Sequence, residues 1–510
     1  MRTIILMLDS VNRRFLKCYG SNEPAFTPNI DRLAQRGTVF ENHWVGSSPC
    51  MPARRDMLTG RLNFLECPWG GIQPCDDTLP RILRNHNIFS HMETDHFHYA
   101  EMGGENYMNQ FTSWHLNRGT EHDSINLRPV KEGIPDIAHA ASQKEDWLGI
   151  YSRSYFATRE KYQGKKENYS TARTFDRAAD WLEESKDADQ FVLWAEGFDP
   201  HEPFDVPEEF LDQYRQYCDF DPDFFWPPYD LTEGYTKEQI TQIKYRYKAL
   251  LTMSDYYIGK VLDVLDRNDM WKDTAVIFTT DHGYLLGEHG YFAKNYMPDY
   301  NELMHIPMII CHPEYEAGRV KAITQNIDLL PTVMDIFGLD KKELSNPVHG
   351  SSLIPLISKE KEKNRDYALF GQFGKNVNIT DGNYVYMRAP VTEENQPLYI
   401  YTTMPYILGE SIGLDMMAKE SFSRIACTRL PWTQYPMLKF STKDVYCDTT
   451  QGFNGRFAHC SSSMLFDIQK DYAQEHPLCN EELEKAYCNI LKEEMKKADS
   501  PDEQFERLGI

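Results

Sequence analysis

The chain has 510 residues, 41% of them hydrophobic and 26% charged, with a formal net charge of −23. This length predicts two domains, or one large α/β domain with an appendage. No apolar run approaches the ~20 residues that cross a bilayer, and the acidic balance argues against nucleic acid or an anionic membrane as partner.

The first predicted element is a buried strand over residues 3–8 that ends at Asp9. No small-residue cleavage site follows it, so the segment is read as part of a mature, cytoplasmic protein. The carboxyl edge of an α/β sheet is where ligands bind, although for Asp9 taken alone a strand-end turn acid is the favoured reading, and only the later motifs make it a metal ligand. The next landmark is Ser47-Ser48-Pro49-Cys50-Met51-Pro52-Ala53-Arg54-Arg55, between an extended run (residues 38–45) and a helical segment that stops at Gly60. Pro52 suits a first helical turn, which puts Cys50 at a helix start, facing amide donors and the positive dipole end. The alternative is a buried structural cysteine.

A short helix is predicted over residues 78–85, then a strand from Phe89 that runs into a histidine cluster. There His96 and His98 alternate, so they are expected on one side of an extended segment; a solvated loop is the alternative. Residues 100–168 lack periodicity and are predicted as loops and an insertion. Helical spacing returns over 171–184. A buried strand over 190–195 then delivers Gly197-Phe198-Asp199-Pro200-His201-Glu202-Pro203-Phe204, with His201 braced by prolines. The aromatic, proline-rich stretch 219–229 reads either as a packed loop or as a wall of a substrate pocket. A long helix is predicted over 237–267. Another β-branched strand ends at Asp281-His282-Gly283, and Lys294 follows Gly287-Glu288-His289-Gly290. The charge run 359–365 is a solvated linker. Short strands at 367–370, 383–388 and 465–467 and a helix over 481–495 complete the chain.

The motif Cys50-x-Pro52-x-Arg54, with Leu58-Thr59-Gly60-Arg61 behind it, resembles the signature of the type I sulfatases of the alkaline phosphatase superfamily. Asp9, Pro200-His201-x-Pro203-Phe204, Asp281-His282-Gly283 and Lys294 follow the family's order, and the resemblance covers most of residues 1–360. It implies an α/β fold with a large mixed, mostly parallel sheet sandwiched by helices, and a smaller C-terminal α+β subdomain. The expected division is 1–365 and 366–510.

The resemblance further implies that a maturase converts Cys50 to formylglycine, whose hydrate attacks the sulfur of a sulfate ester. Arg54 and Lys294 would hold the sulfuryl oxygens, His201 would protonate the leaving oxygen, and His98 would help release sulfate. Asp9, Ser10, Cys50, Asp281 and His282 would form the metal shell. Two positions depart from the family: Ser10 stands where a second acid is usual, and the substrate-contacting His96 where lysine is usual. Carboxylates with one imidazole suit Ca²⁺ first, with Mg²⁺ and Mn²⁺ as alternatives.

The 11 cysteines lack CxxC pairs or regular spacing, so neither a zinc knuckle nor a disulfide framework is indicated, and a reducing compartment fits. A small anionic sulfated substrate is compatible with the acidic chain, because local cations dominate within a Debye length of about 8 Å. The favoured expectation is a sulfatase acting on a sulfated carbohydrate. A phosphonate monoester or phosphodiester hydrolase of the same superfamily, and a non-catalytic binding protein, are the competing readings. The sequence leaves the oligomeric state open.

Overall fold

The computed structural model describes residues 1–101, 103–121, 123, 165–222, 224–404, 406–407, 410–411, 425–442 and 462–510. In chain order the first strands are β1 (Arg2–Leu8), β2 (Thr38–Trp44), β3 (Ser47–Ser48), β4 (Phe89–Thr94), β5 (Ser113–Leu116), β6 (Phe191–Gly197) and β7 (Thr274–Thr280). They are followed by β8 (Leu285–Leu286), β9 (Phe292–Ala293), β10 (Met308–Cys311) and β11 (Gly318–Gln325). Eight of these form one sheet in the order β11-β2-β10-β7-β1-β6-β4-β5, parallel except for β10, which runs against both neighbours.

Strands β1 and β7 are buried along their whole length, with apolar centres at residues 4–8 and 275–278, because helices cover both faces of the sheet. Successive side chains of β1 feed opposite cores. Ile4, Leu6 and Leu8 pack with the helices Ser170–Glu184 and Lys237–Arg267, whereas Ile5 and Met7 pack with Cys50–Thr59, Leu79–Asn85 and Leu329–Ile336. The helix Lys237–Arg267 is entered through a capping box in which Thr236 and Gln239 satisfy each other's backbone amides.

Two expectations need correction. The predicted loop region contains a strand, β5, which among the described residues pairs with β4 alone at the edge of the sheet. Its side chains are partly exposed, so it lacks the apolar alternation by which a strand is recognised. Residues 124–164 of that region lie outside the described residues. The histidine segment is not extended either: Phe97–Ala100 forms a 3₁₀ turn with His96 at its entrance.

A second sheet is built from β12 (Ala368–Gln372), β13 (Val377–Thr380), β14 (Tyr384–Arg388) and the strand Met464–Asp467. The helix Glu481–Lys497 covers it through Tyr487, Leu491 and Met495. Its fifth strand is β3, from the other end of the chain, paired in parallel with Gly371 and Gln372. Among the described residues no helix is long and apolar enough to cross a membrane.

Candidate functional site

Parallel strands open their carboxyl ends on one edge of a sheet. Here Asp9 follows β1, Asp281 and His282 follow β7, His96 lies just beyond β4, and His201 just beyond β6. Strand β2 points the same way and leads through β3 into the helix Cys50–Thr59. The entrance to that helix is tied down by Asp56, which accepts the amide of Ser47 at 2.6 Å, its hydroxyl at 2.8 Å and the Asn63 side chain at 2.6 Å. Gly60 ends the helix in the left-handed region at φ 69°. Arg54, one turn after Cys50, projects on the same side.

The fully buried Arg54 guanidinium donates to Asp281 Oδ2 at 2.5 Å, to Asp9 Oδ2 at 3.0 Å and to Glu196 Oε1 at 3.4 Å. Lys294 Nζ lies 3.3 Å from both Cys50 Sγ and Ser10 Oγ, and 3.8 Å from Asp9 Oδ1. Burial opposes ionisation of Asp9, but Lys294, Arg54 and His282 outweigh it and hold the carboxyl below its ordinary range. Burial, and after it Asp9, push the Cys50 thiol well up. An unmodified Cys50 is therefore a protonated, poor nucleophile.

Ser10 is held at φ 63°, a conformation most side chains avoid. Its amide donates to Asp281 Oδ1 at 3.0 Å and its carbonyl accepts from the Tyr247 hydroxyl at 2.7 Å. The Ser10 hydroxyl donates to Asp9 Oδ1 at 2.6 Å and receives Lys294. Gly283 has a specific reason to be glycine: a Cβ there would sit 1.8 Å from the Glu302 carbonyl oxygen.

The histidines divide by what their ring nitrogens face. His282 Nδ1 meets the Gly283 carbonyl at 2.8 Å, so it carries the proton, and Nε2 turns its lone pair toward Cys50 Sγ at 3.1 Å. In the same way His201 Nδ1 donates to the Glu202 carbonyl at 2.7 Å, leaving Nε2 as the free end. His96 is buried with Nδ1 3.9 Å from Asp9 Oδ2, and burial together with Arg54 keeps it neutral. His98 is half-buried and bonded to Glu101 at 2.8 Å, one ring removed, with its centroid 5.2 Å from that of His96. The structure thus gathers Asp9, Ser10, Cys50, Arg54, Lys294, Asp281 and His282 in direct contact, with His96 alongside, and sets His98 and His201 around them.

Ligand atoms of Asp9, Cys50, Asp281 and His282 lie within 4.8 Å of one another, all buried. Two carboxylates and an imidazole lone pair within that span fit a hard divalent cation. Sequence reasoning missed Glu196, which anchors Arg54 and is itself held by Thr94 at 3.0 Å, Trp194 at 2.7 Å and Tyr99 at 3.4 Å. The available signal was an acid inside a buried strand, which requires a partner. Glu196→Gln is expected to lower kcat by about 10- to 100-fold, the usual effect of loosening an outer support. Unchanged kcat with a normal melting temperature would show that Asp9 and Asp281 suffice to hold Arg54.

The sulfatase family model matches residues 2–339. Choline-sulfatase of Rhizobium meliloti is 22% identical over 416 residues, covering 77% of this chain and 78% of its own. Human arylsulfatase K is 26% identical over 379 residues, 70% of this chain and 66% of its own. A solved structure in complex with its substrate D-glucosamine-2-N,6-O-disulfate superposes with a TM-score of 0.65 at 16% identity, covering 98% and 99% of the two chains. The phosphonate monoester hydrolase of Agrobacterium radiobacter gives 0.64 at 17% identity, covering 98% and 96%, so the fold is shared by both chemistries. With the family match running over most of its length, and Cys50, Asp9, Asp281 and Lys294 gathered at one sheet edge, this chain belongs to the sulfatase family and is a sulfuric ester hydrolase.

Proposed function

We propose that the protein hydrolyses the sulfate ester of a sulfated carbohydrate, using a formylglycine made from Cys50 and a bound divalent cation. The observation that carries this reading is the position of Cys50 at a helix start, its Sγ within 3.3 Å of Lys294 and 3.1 Å of His282. The neighbour solved with a sulfated glucosamine as its substrate supports the substrate class.

Asp9, Asp281, His282 and the oxygen-bearing residue 50 would hold the cation, Ca²⁺ first with Mg²⁺ and Mn²⁺ as alternatives, and the Ser10 hydroxyl stands beside them. When bound, the cation supplies charge neutralisation and a lowered pKa for the attacking oxygen. Arg54 and Lys294 then orient the sulfuryl oxygens, with His96 as a neutral donor beside them. His201 Nε2 delivers a proton to the departing alcohol, and His98 assists release of sulfate. Nine free cysteines among the described residues support our placement of the protein in a reducing compartment, the cytoplasm.

Mass spectrometry of the Cys50 peptide, after co-expression with a formylglycine-generating maturase, tests the modification. The expected product is the aldehyde residue, and a fully alkylatable thiol in an active preparation would overturn it. A panel of sulfate esters, phosphonate monoesters and phosphodiesters at equal concentration tests the reaction; preferential phosphonate or phosphodiester turnover would reassign it. Exhaustive chelation is expected to abolish activity and re-addition of one divalent cation to restore it. Full activity in the chelated protein would remove the cation from the mechanism.

A further inference from the structure

Asp95 is a fully buried carboxyl group between β4 and His96 that no step of the proposed reaction uses. Its Oδ1 accepts the backbone amide of Phe198 at 2.7 Å, and its Oδ2 accepts the Thr171 hydroxyl at 2.8 Å. The same Thr171 oxygen accepts the amide of Asp199 at 3.1 Å. Asp95 and the first turn of the helix Ser170–Glu184 therefore hold two successive amides of the loop that leaves β6 toward His201. Phe198 carries this restraint onward. Its carbonyl accepts the His201 amide at 3.0 Å, and its ring lies against the His201 ring, with centroids 4.2 Å apart. The Phe198 ring also meets His96 at 5.3 Å. Burial pushes the Asp95 carboxyl up to about 7, yet the Phe198 amide needs only a carboxyl oxygen, and either protonation state offers one.

We propose that Asp95, acting through Phe198, is a positioning residue for His201: it fixes where Nε2 stands relative to the leaving oxygen, and so governs proton delivery and leaves sulfate binding to other groups. This deepens the sulfatase reading and rests on it, with His201 as the acid. The Glu202 carbonyl fixes which ring nitrogen of His201 carries the proton, whereas Phe198 fixes where the ring sits. Proton transfer requires a heavy-atom approach of about 2.6–3.2 Å, and a misplacement of ~1 Å can cost ~10²-fold. Removing the Asp95 side chain would leave the buried Phe198 amide without an acceptor, which a folded chain avoids by moving the backbone. The His201 ring would move with it. Arg54 and Lys294 would stay, because their own partners, Asp9, Asp281 and Glu196 for the arginine and Ser10 and Cys50 for the lysine, do not involve Asp95.

The test is a double-mutant cycle in the matured, cation-loaded enzyme, read as kcat/KM on an alkyl sulfate and on an activated aryl sulfate. Asp95→Ala should slow the alkyl ester by about 10- to 100-fold and the aryl ester by less than about threefold. In the His201→Ala background it should change the alkyl-to-aryl ratio no further, since two residues acting on one step are not additive. Asp95→Asn, which keeps an oxygen for the Phe198 amide, should retain most of that ratio. If Asp95→Ala does not fold, Thr171→Val, which frees the Asp199 amide and one oxygen of Asp95, takes its place with the same pattern at smaller amplitude. Equal losses on both esters, or a full additional loss of the ratio in the His201→Ala background, overturn the inference and leave Asp95 as packing for the helix. A leaving-group-dependent loss in His201→Ala with none in Asp95→Ala sinks this inference alone. A uniform loss in His201→Ala removes the acid from His201, and this inference falls with that reading.

Discussion

Cys50→Ala is expected to lose at least ~10⁴-fold in kcat, the scale seen when a nucleophile is removed from a concerted site, while the protein stays folded. The side chain is 2% exposed, its Sγ is hydrogen-bonded to His282 and Lys294, and Cys50 belongs to none of the hydrophobic clusters among the described residues. Removing one sulfur there leaves a small gap lined by polar groups, a modest cost beside a large-to-small change in an apolar core. What disappears is the sulfur that, on our proposal, maturation replaces with an aldehyde oxygen. An unmodified thiol cannot replace it: after attack it would carry the sulfuryl group on sulfur, with no neighbouring hydroxyl to expel sulfate. Steady-state rates and the melting temperature of Cys50→Ala decide the matter. A folded variant that keeps more than about a hundredth of the activity would move the nucleophile elsewhere.

The second large effect depends on the leaving group. His201→Ala is expected to slow alkyl sulfates by about 10²- to 10⁴-fold, the contribution of a positioned acid, and activated aryl sulfates far less. Burial, and after it Lys294, hold the free His201 well below the ordinary value of 6.5. An acid must be protonated to act, so kcat/KM for alkyl sulfates should fall with rising pH, with its alkaline limb below 6.5. His201→Ala should erase that limb. A uniform loss across leaving-group pKa would assign His201 to sulfate binding, and the acid would then be sought at Lys294 or His98.

The parts of the fold legible in the sequence were those with strong local signals. The helix expected at roughly residues 237–267 is there as Lys237–Arg267, because a long run of apolar residues at helical spacing has no competing pattern. The strands ending at Asp9 and Asp281 were legible because burial on both faces selects runs of apolar and β-branched residues. Cys50 at a helix start followed from proline chemistry alone. Edge strand β5 and the turn at Phe97–Ala100 were not legible, since neither buries enough apolar surface to impose a period. Glu196 escaped for a different reason. Its significance lies in what folds against it, Arg54 from 142 residues away, and pairing over such a distance leaves no local trace. In the aromatic stretch 219–229, residues 224–228 are buried, as a packed loop requires, and the Tyr229 hydroxyl donates to Glu202.

Strand β3 bears on how such a protein can be taken apart and recombined. Our proposed boundary between residues 365 and 366 divides the chain by sequence, yet Ser47 and Ser48 are hydrogen-bonded to Gly371 and Gln372 of the second sheet. Gln372 in turn donates to the carbonyl of Lys294 at 3.2 Å. A chimera that joins the first 365 residues to the tail of a relative would therefore inherit a mismatched brace on both the nucleophile helix and its lysine. Grafts that carry residues 47–48 and 371–372 from the same parent keep that brace whole, so the exchangeable unit of this chain is discontinuous in sequence.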